Sequence, residues 1–260
     1  FEVGQRAVAE IPIPCRRCWF CHRGLYTHCD SPRVCVGSWA EYMRVPAGAI
    51  LHRIPEDFAP EQAAIIEPVA CSVHAVNLAR IQFADVVCVA GLGAIGLGIL
   101  QVAALKTPRA LVGLDIDDGL LEVAARLGAD RVLNPRRDDI AAELARLTDG
   151  RGPDIFIEAS GSVASLRLGL EVVRKAGRVV VYGVYGQEAT VDLNLVSEFK
   201  ELEIVGGHVS PNTYPLAIKV LGERLVDWRA MVTHTFPLAR FEEAIRVKAD
   251  YEKTNDNIRR

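Results

Sequence analysis

The run Val86-Val87-Cys88-Val89-Ala90 leads directly into Gly91-Leu92-Gly93-Ala94-Ile95-Gly96, and this junction constrains the fold more than any other stretch of the chain. Five apolar residues rich in valine read as a buried strand, and the apolar stretch continuing beyond Ala94 has the length of a helix. Glycines are common, so GxGxxG alone is a weak signal. Between a strand and a helix, however, each glycine has its own task. Gly91 permits the tight turn, Gly93 lets backbone approach a pyrophosphate, and Gly96 lets helix and strand pack closely. The free N–H groups at the helix start, including that of Ala94, favour a phosphate. Asp115 ends the next apolar run, Ala110-Leu111-Val112-Gly113-Leu114, about 20 residues further on, as a dinucleotide fold requires. A carboxylate there accepts hydrogen bonds from the adenosine ribose and repels a 2′-phosphate, which selects NAD over NADP. The plainer role for Asp115 is that of a solvated turn residue. A flavin-dinucleotide protein would share both features.

The texture on either side of this junction differs. Residues 1–60 are rich in Pro, Gly and Cys, with short β-like runs such as Ala40-Glu41-Tyr42-Met43-Arg44-Val45, and predict a loop-rich β domain. From about residue 85 apolar strands alternate with amphipathic helices. Strands are predicted at 86–90, 110–114, 131–133, 154–157, 178–183 and 203–206, with helices at 94–106, 118–127, 138–147, 162–175 and 213–225. The alternation implies βαβ units and an α/β fold with a doubly wound parallel sheet. Residues 61–230 form this nucleotide-binding domain, and 231–260 return to the first domain.

With a formal net charge of −3 and scattered Lys and Arg, the chain shows no footprint for nucleic acid or an anionic membrane. No apolar run reaches the ~18 residues of a membrane span, because glycines interrupt the longest, 86–105. The first residues, Phe1-Glu2-Val3-Gly4-Gln5-Arg6, lack the pattern of a signal peptide. The expected setting is cytoplasmic.

Of seven cysteines, Cys15, Cys18, Cys21 and Cys29 form one tight cluster, and Cys35, Cys71 and Cys88 are dispersed. Thiolates spaced by two residues can turn back onto one tetrahedral ion, and four of them leave no open coordination position, so such a zinc site is structural. A bacterial ferredoxin cluster would place its fourth cysteine closer, followed by proline. Here Asp30 follows Cys29. A secreted disulfide scaffold would be shorter, with its cysteines spread along the chain.

The cysteine lobe ahead of the glycine motif resembles the zinc-containing branch of the medium-chain dehydrogenase/reductase superfamily. Further matching landmarks are Gly4-Gln5-Arg6-Ala7-Val8, Ala40-Glu41-Tyr42, Glu67-Pro68, Leu127-Gly128-Ala129-Asp130 and Val181-Tyr182-Gly183. The resemblance covers essentially the whole chain. It implies a Rossmann domain joined to a GroES-like β-rich catalytic domain, with NAD and zinc as cofactors and a dimeric or tetrameric assembly.

In that family the catalytic zinc takes a Cys and a His from a segment ahead of the lobe, and residues 1–14 hold neither. The resemblance therefore implies a longer protein, of which this sequence is either a truncated piece or the ordered residues. The stretch from Cys29 to Tyr42 is shorter than usual, and the tail Asn257–Arg260 stops before the usual final strand. Glu67 matches the carboxylate that polyol and related dehydrogenases offer to the catalytic zinc or its water, where ordinary alcohol dehydrogenases have Cys. A helix-face Glu turned to solvent is the alternative. Cys71 corresponds to a residue beside the nicotinamide, or to a small core side chain. Ile95 is implied to pack on the nicotinamide ring, and Tyr182, Gly183 and Val184 to bind its carboxamide end through backbone. Ala159 and Ser160 are implied to pass the adenosine ribose and pyrophosphate, and Gly207 and Val209 to line the nicotinamide side. His208, between them, reads more readily as structural, as do His74 and His234. The implied reaction is oxidation of a secondary hydroxyl of a sugar alcohol to the ketone. L-Threonine or 2,3-butanediol dehydrogenation, or a non-catalytic NAD-binding fragment, are the alternatives.

Overall fold

A computed structural model of the chain describes residues 1–249. The last residues of the predicted 231–260 segment, including Asn257–Arg260, lie outside the described residues. Strands β1 (Ala7–Ala9), β2 (Pro12–Ile13), β3 (Arg33–Val34) and β4 (Leu51–Arg53) and helix α1 (Trp19–His22) occupy the N-terminal quarter. Helices α2 (Pro60–Ala64) and α3 (Ile66–Ala79) follow, then β5 (Val86–Ala90), α4 (Ala94–Ala104), β6 (Ala110–Leu114), α5 (Asp118–Arg126), β7 (Arg131–Leu133) and α6 (Ile140–Leu147). The series ends with β8 (Ile155–Glu158), α7 (Val163–Val172), β9 (Arg178–Val181), β10 (Glu203–Gly206) and α8 (Tyr214–Gly222). Among the described residues no helix is long and apolar enough to cross a membrane.

The chain divides into two compact units, Phe1–Val8 with His52–Met231, and Ala9–Leu51 with Val232 onward. The sequence places the break at 60/61 instead. Residues 52–60 join the sheet-bearing unit because Phe58 is buried beside Gly222 of α8, and Arg6 ties residues 1–8 to the same stretch through the carbonyls of Glu56 (3.1 Å) and Phe58 (2.7 Å).

The larger unit carries six parallel strands in the order β10-β9-β8-β5-β6-β7. From β5 the chain winds outward through β6 and β7, then crosses to β8 and winds the other way. The carboxyl edge between β5 and β8 is thus the topological switch point, where open α/β sheets bind ligands. All five residues of β5 are buried, as a central strand covered on both faces demands. The core gathers Val86, Cys88, Val112, Phe156, Leu170 and Val179. Phe156 fills the room left by Gly169 of α7, where a Cβ would stand 2.5 Å from its ring.

Four of the six strands have the predicted bounds, and two shift. Glu158 belongs to β8, and β9 ends at Val181 rather than residue 183. The cause is local: the N–H groups of Tyr182 (2.8 Å) and Gly183 (2.9 Å) both turn to the carbonyl of Glu158. The predicted helix over 162–175 stops at Val172, where Val173 is extended and Arg174 N–H donates to Pro153 O.

In the smaller unit the β2–β3 pair is antiparallel, Pro12 opposite Val34 and Ile13 opposite Arg33. The buried Tyr26 hydroxyl donates to Glu10 at 2.6 Å. Trp39 meets Phe241 at 6.5 Å between ring centroids within this unit. The β-like run 40–45 is not a strand. A strand needs a ladder partner, none of the described residues supplies one, and Tyr42 is almost fully exposed.

Phe156→Ala should cost about 3–5 kcal/mol by leaving a cavity between β8 and α7; denaturant unfolding of the full chain measures it.

Candidate dinucleotide and metal sites

Strand register gathers the predicted residues. Leu114 lies opposite Ala90, Ala90 opposite Glu158, Glu158 opposite Val181, and Val181 opposite Gly206, forming one row across the sheet. The next residue of each strand therefore stands just beyond the carboxyl edge. These residues are Asp115, Gly91, Ala159, Tyr182 and Gly207, and Ser160, Gly183, Val184 and Val209 follow them.

The three glycines of the first turn are required for three different reasons. Gly91 has φ +89°, and a Cβ there would lie 2.6 Å from the backbone of Ser160. At Gly96 a Cβ would enter the carbonyl oxygen of Gly91. Gly93 is exposed, has an ordinary φ of −61°, and a Cβ on it would meet nothing within 4 Å. Among the described residues nothing excludes a side chain at Gly93. An open cradle at the N-terminus of α4, beside Ala94 and the half-buried Ile95, fits a bound pyrophosphate whose approach a Cβ would block.

Asp115 is engaged by the protein itself. Its Oδ2 accepts from Leu92 N–H (2.6 Å) and its Oδ1 from Asp117 N–H (2.9 Å). Burial raises its carboxyl from the usual range, and the two N–H donors oppose that rise. Each oxygen keeps a further lone pair for a ligand. The carboxylate thereby ties β6 to the glycine turn, which the fully buried Leu92 anchors in the core.

Val209 takes φ +53°, a left-handed conformation that is costly for a β-branched residue. The Tyr182 hydroxyl donates to its carbonyl oxygen, and the Tyr182 ring occupies the space a Cβ of Gly207 would need. Tyr182 thus holds the 207–209 turn. His208 is exposed.

Glu67 sits in the first turn of α3, half-buried. The Cys71 thiol donates to its Oε1 at 3.2 Å. Burial and then the Glu67 charge push Cys71 up to about 12, so it is a thiol at neutral pH. Tyr182 is also raised, by burial and by Cys71 and Glu67, which puts Glu67 in the electrostatic neighbourhood of the β9 end. Among the described residues, only the cysteine lobe groups three or more side chains able to share a metal.

In that lobe the Sγ atoms of Cys15, Cys18, Cys21 and Cys29 all lie within 4.8 Å of one another. Cys15 and Cys21 are 4.0 Å apart, close to the ~3.8 Å edge that a tetrahedron with 2.3 Å zinc–sulfur bonds requires. Backbone N–H groups point at sulfur, from Cys15 to Cys29 (3.3 Å) and from Cys21 to Cys18 (3.5 Å). Such donors stabilise thiolates, and the amide of Arg17 heads the causes that bring Cys15 down to about 6. Desolvation pushes Cys21 the other way, to about 12. All four are free of disulfides, and the donor set fits zinc.

Sequence reasoning passes over one group, Glu158, whose carboxylate lies buried beneath this row. The signal available was Glu158-Ala159-Ser160-Gly161, a charge closing an apolar strand ahead of small residues.

Gly93→Ala should leave the melting temperature close to wild type yet weaken NADH binding. Gly96→Ala should cost about 2 kcal/mol or more of stability through overpacking. Thermal melts and NADH fluorescence titrations on both variants check the contrast.

Comparison with known proteins agrees with this geometry. Residues 94–223 match the zinc-binding dehydrogenase family, and residues 1–56 match the alcohol dehydrogenase GroES-like domain. The erythritol/L-threitol dehydrogenase of Mycolicibacterium smegmatis is 39% identical over 253 residues, covering 95% of this chain and 70% of that protein. A sorbitol dehydrogenase of Bombyx mori is 31% identical, with 94% and 72% covered. The zinc-dependent alcohol dehydrogenase 2 of Streptococcus pneumonia, solved in its apo form, superposes with a TM-score of 0.88 at 30% identity, covering 98% of this chain and 75% of that one. The chain belongs to the zinc-binding dehydrogenase family, whose members act on CH–OH groups, typically with NAD.

Proposed function

We propose that the chain serves NAD-dependent oxidation of a secondary hydroxyl of a sugar alcohol to the ketone. The observation that carries this is the row of strand ends 91, 115, 159, 182 and 207, with the Glu67 carboxylate adjoining it through Cys71 and Tyr182. The similarity to erythritol/threitol and sorbitol dehydrogenases supports the polyol class.

Each residue has a stated task. The amides at the start of α4, at Gly93, Ala94 and Ile95, hold the pyrophosphate with the helix dipole behind them, while Gly91 and Gly96 shape the turn. Asp115 receives the adenosine ribose hydroxyls and disfavours a 2′-phosphate. Ala159 and Ser160 border the ribose and pyrophosphate. The backbone of Tyr182, Gly183 and Val184 takes the carboxamide end, and Gly207 and Val209 line the nicotinamide with Ile95 against the ring. Glu67 offers a hard oxygen to the reacting zinc, directly or through water. A zinc ion bound there supplies Lewis acidity that lowers the pKa of the substrate hydroxyl. The Cys15, Cys18, Cys21 and Cys29 zinc, with no open position, is structural.

Two further readings go with this proposal. The GroES-like part lies within residues 1–60 and 231 onward and the nucleotide-binding part within 61–230, with residues 1–8 and 52–60 packing in the larger unit. The assembly is a homo-oligomer, a dimer or tetramer, in the cytoplasm.

NAD reduction across erythritol, threitol, sorbitol and xylitol, with L-threonine and 2,3-butanediol alongside, tests the proposal. Turnover should be fastest on a polyol. Fastest turnover on threonine or butanediol would replace the substrate class, and none on any secondary alcohol would leave a non-catalytic nucleotide-binding chain.

A further inference from the structure

We propose that Glu158 is a positioning residue that locks the cofactor-contacting loops to one another; the inference rests on the nucleotide site proposed above. Glu158 is the last residue of β8 and is fully buried. A buried carboxylate usually has a cation beside it, because desolvation of an unpaired charge is costly. Among the described residues, Glu158 is instead held by hydrogen-bond donors. The Ser160 N–H (2.9 Å) and the Ser160 hydroxyl point at Oε1. The Gly161 N–H (3.2 Å) and the Tyr185 hydroxyl (2.6 Å) point at Oε2.

These four donors come from two separate loops, one leaving β8 and the other leaving β9. The Glu158 main chain repeats the connection, since its carbonyl accepts from Tyr182 and Gly183. Packing adds a third segment. Gly183 leaves room for Oε2, which a Cβ would approach to 2.5 Å, and Gly91 of the glycine turn packs on the backbone of Ser160. The Ser160 hydroxyl in turn accepts from Ser162 N–H (3.1 Å), just ahead of α7. One side chain therefore fixes the spacing of the turns after β5, β8 and β9.

The chemistry requires a carboxylate. An ionised Glu is acceptor-only and meets two donors at each oxygen, whereas a Gln of the same shape must aim an NH2 at one donor pair. Glu158→Gln would turn its NH2 toward one backbone N–H, of Ser160 or Gly161, which unlike the hydroxyl beside it cannot rotate to accept, and a donor left facing a donor is costlier than deleting the bond.

The test uses the full protein, with NADH affinity read by fluorescence, melting temperature read in parallel, and KM for NAD compared with kcat. Glu158→Gln should raise the NADH dissociation constant about tenfold or more, and Tyr185→Phe, which removes one donor of four, about threefold or more. KM for NAD should rise more than kcat falls. A lowered melting temperature with NADH affinity within about twofold of wild type would overturn the proposal, because the carboxylate would then serve stability alone. Should Glu158→Gln fail to fold, Tyr185→Phe decides, and unchanged affinity overturns the proposal. A wild-type protein that does not bind NADH overturns the nucleotide site and this inference together, whereas wild-type binding with unaffected variants overturns only this one.

Discussion

The parallel ladder that aligns Leu114, Ala90, Glu158, Val181 and Gly206 determines where everything else stands. Because five strands end in one row, five turns begin in one row, and residues up to 116 positions apart in sequence become neighbours along one edge. The ladder is secured by burial on both faces, with β5 wholly inside. It is secured again at its carboxyl edge, where two carboxylates stitch the turns together. Asp115 grips the glycine turn through Leu92 N–H, and Glu158 grips the turns after β8 and β9. Among the described residues both acids are held by backbone or hydroxyl donors.

The glycines separate fold from function. Gly91 and Gly96 are demanded by the protein, since side chains there would collide with Ser160 and with the Gly91 carbonyl. Gly93 is demanded by nothing among the described residues, and its open surroundings fit a ligand. Val209 makes the complementary point, a β-branched residue kept at positive φ beside that same edge by the Tyr182 hydroxyl. The cysteine lobe is a different kind of feature, because four thiols within 4.8 Å fit an ion that organises a loop rather than one that reacts.

Much of this was legible in the sequence because apolar runs broken by glycine leave few alternatives. Strands 86–90, 110–114, 131–133 and 203–206 have their predicted bounds. The four cysteines converge as their spacing requires. Sequence patterning failed where tertiary partners decide. Residues 40–45 have strand-like composition but no ladder among the described residues, and residues 52–60 pack with the sheet-bearing unit through Phe58, with residues 1–8 tied to them by Arg6. Glu158 was missed because a charge at a strand end looks solvent-facing in sequence. Its partner Tyr185 lies 27 positions away, beyond the range of any local pattern. Glu67 was legible only through resemblance, and its contact with Cys71 one turn later supplies the local geometry.

The central claim is that the carboxyl edge of the sheet between β6 and β10 binds the dinucleotide as one connected surface. Hydrogen–deuterium exchange of the full protein with and without NADH tests it directly. Added NADH should slow exchange together in the peptides spanning 91–96, 115–117, 158–162, 182–185 and 207–210, and leave the 15–29 lobe and the 134–139 turn unchanged. Protection confined to segments away from that edge, or none in the glycine turn, would contradict the account.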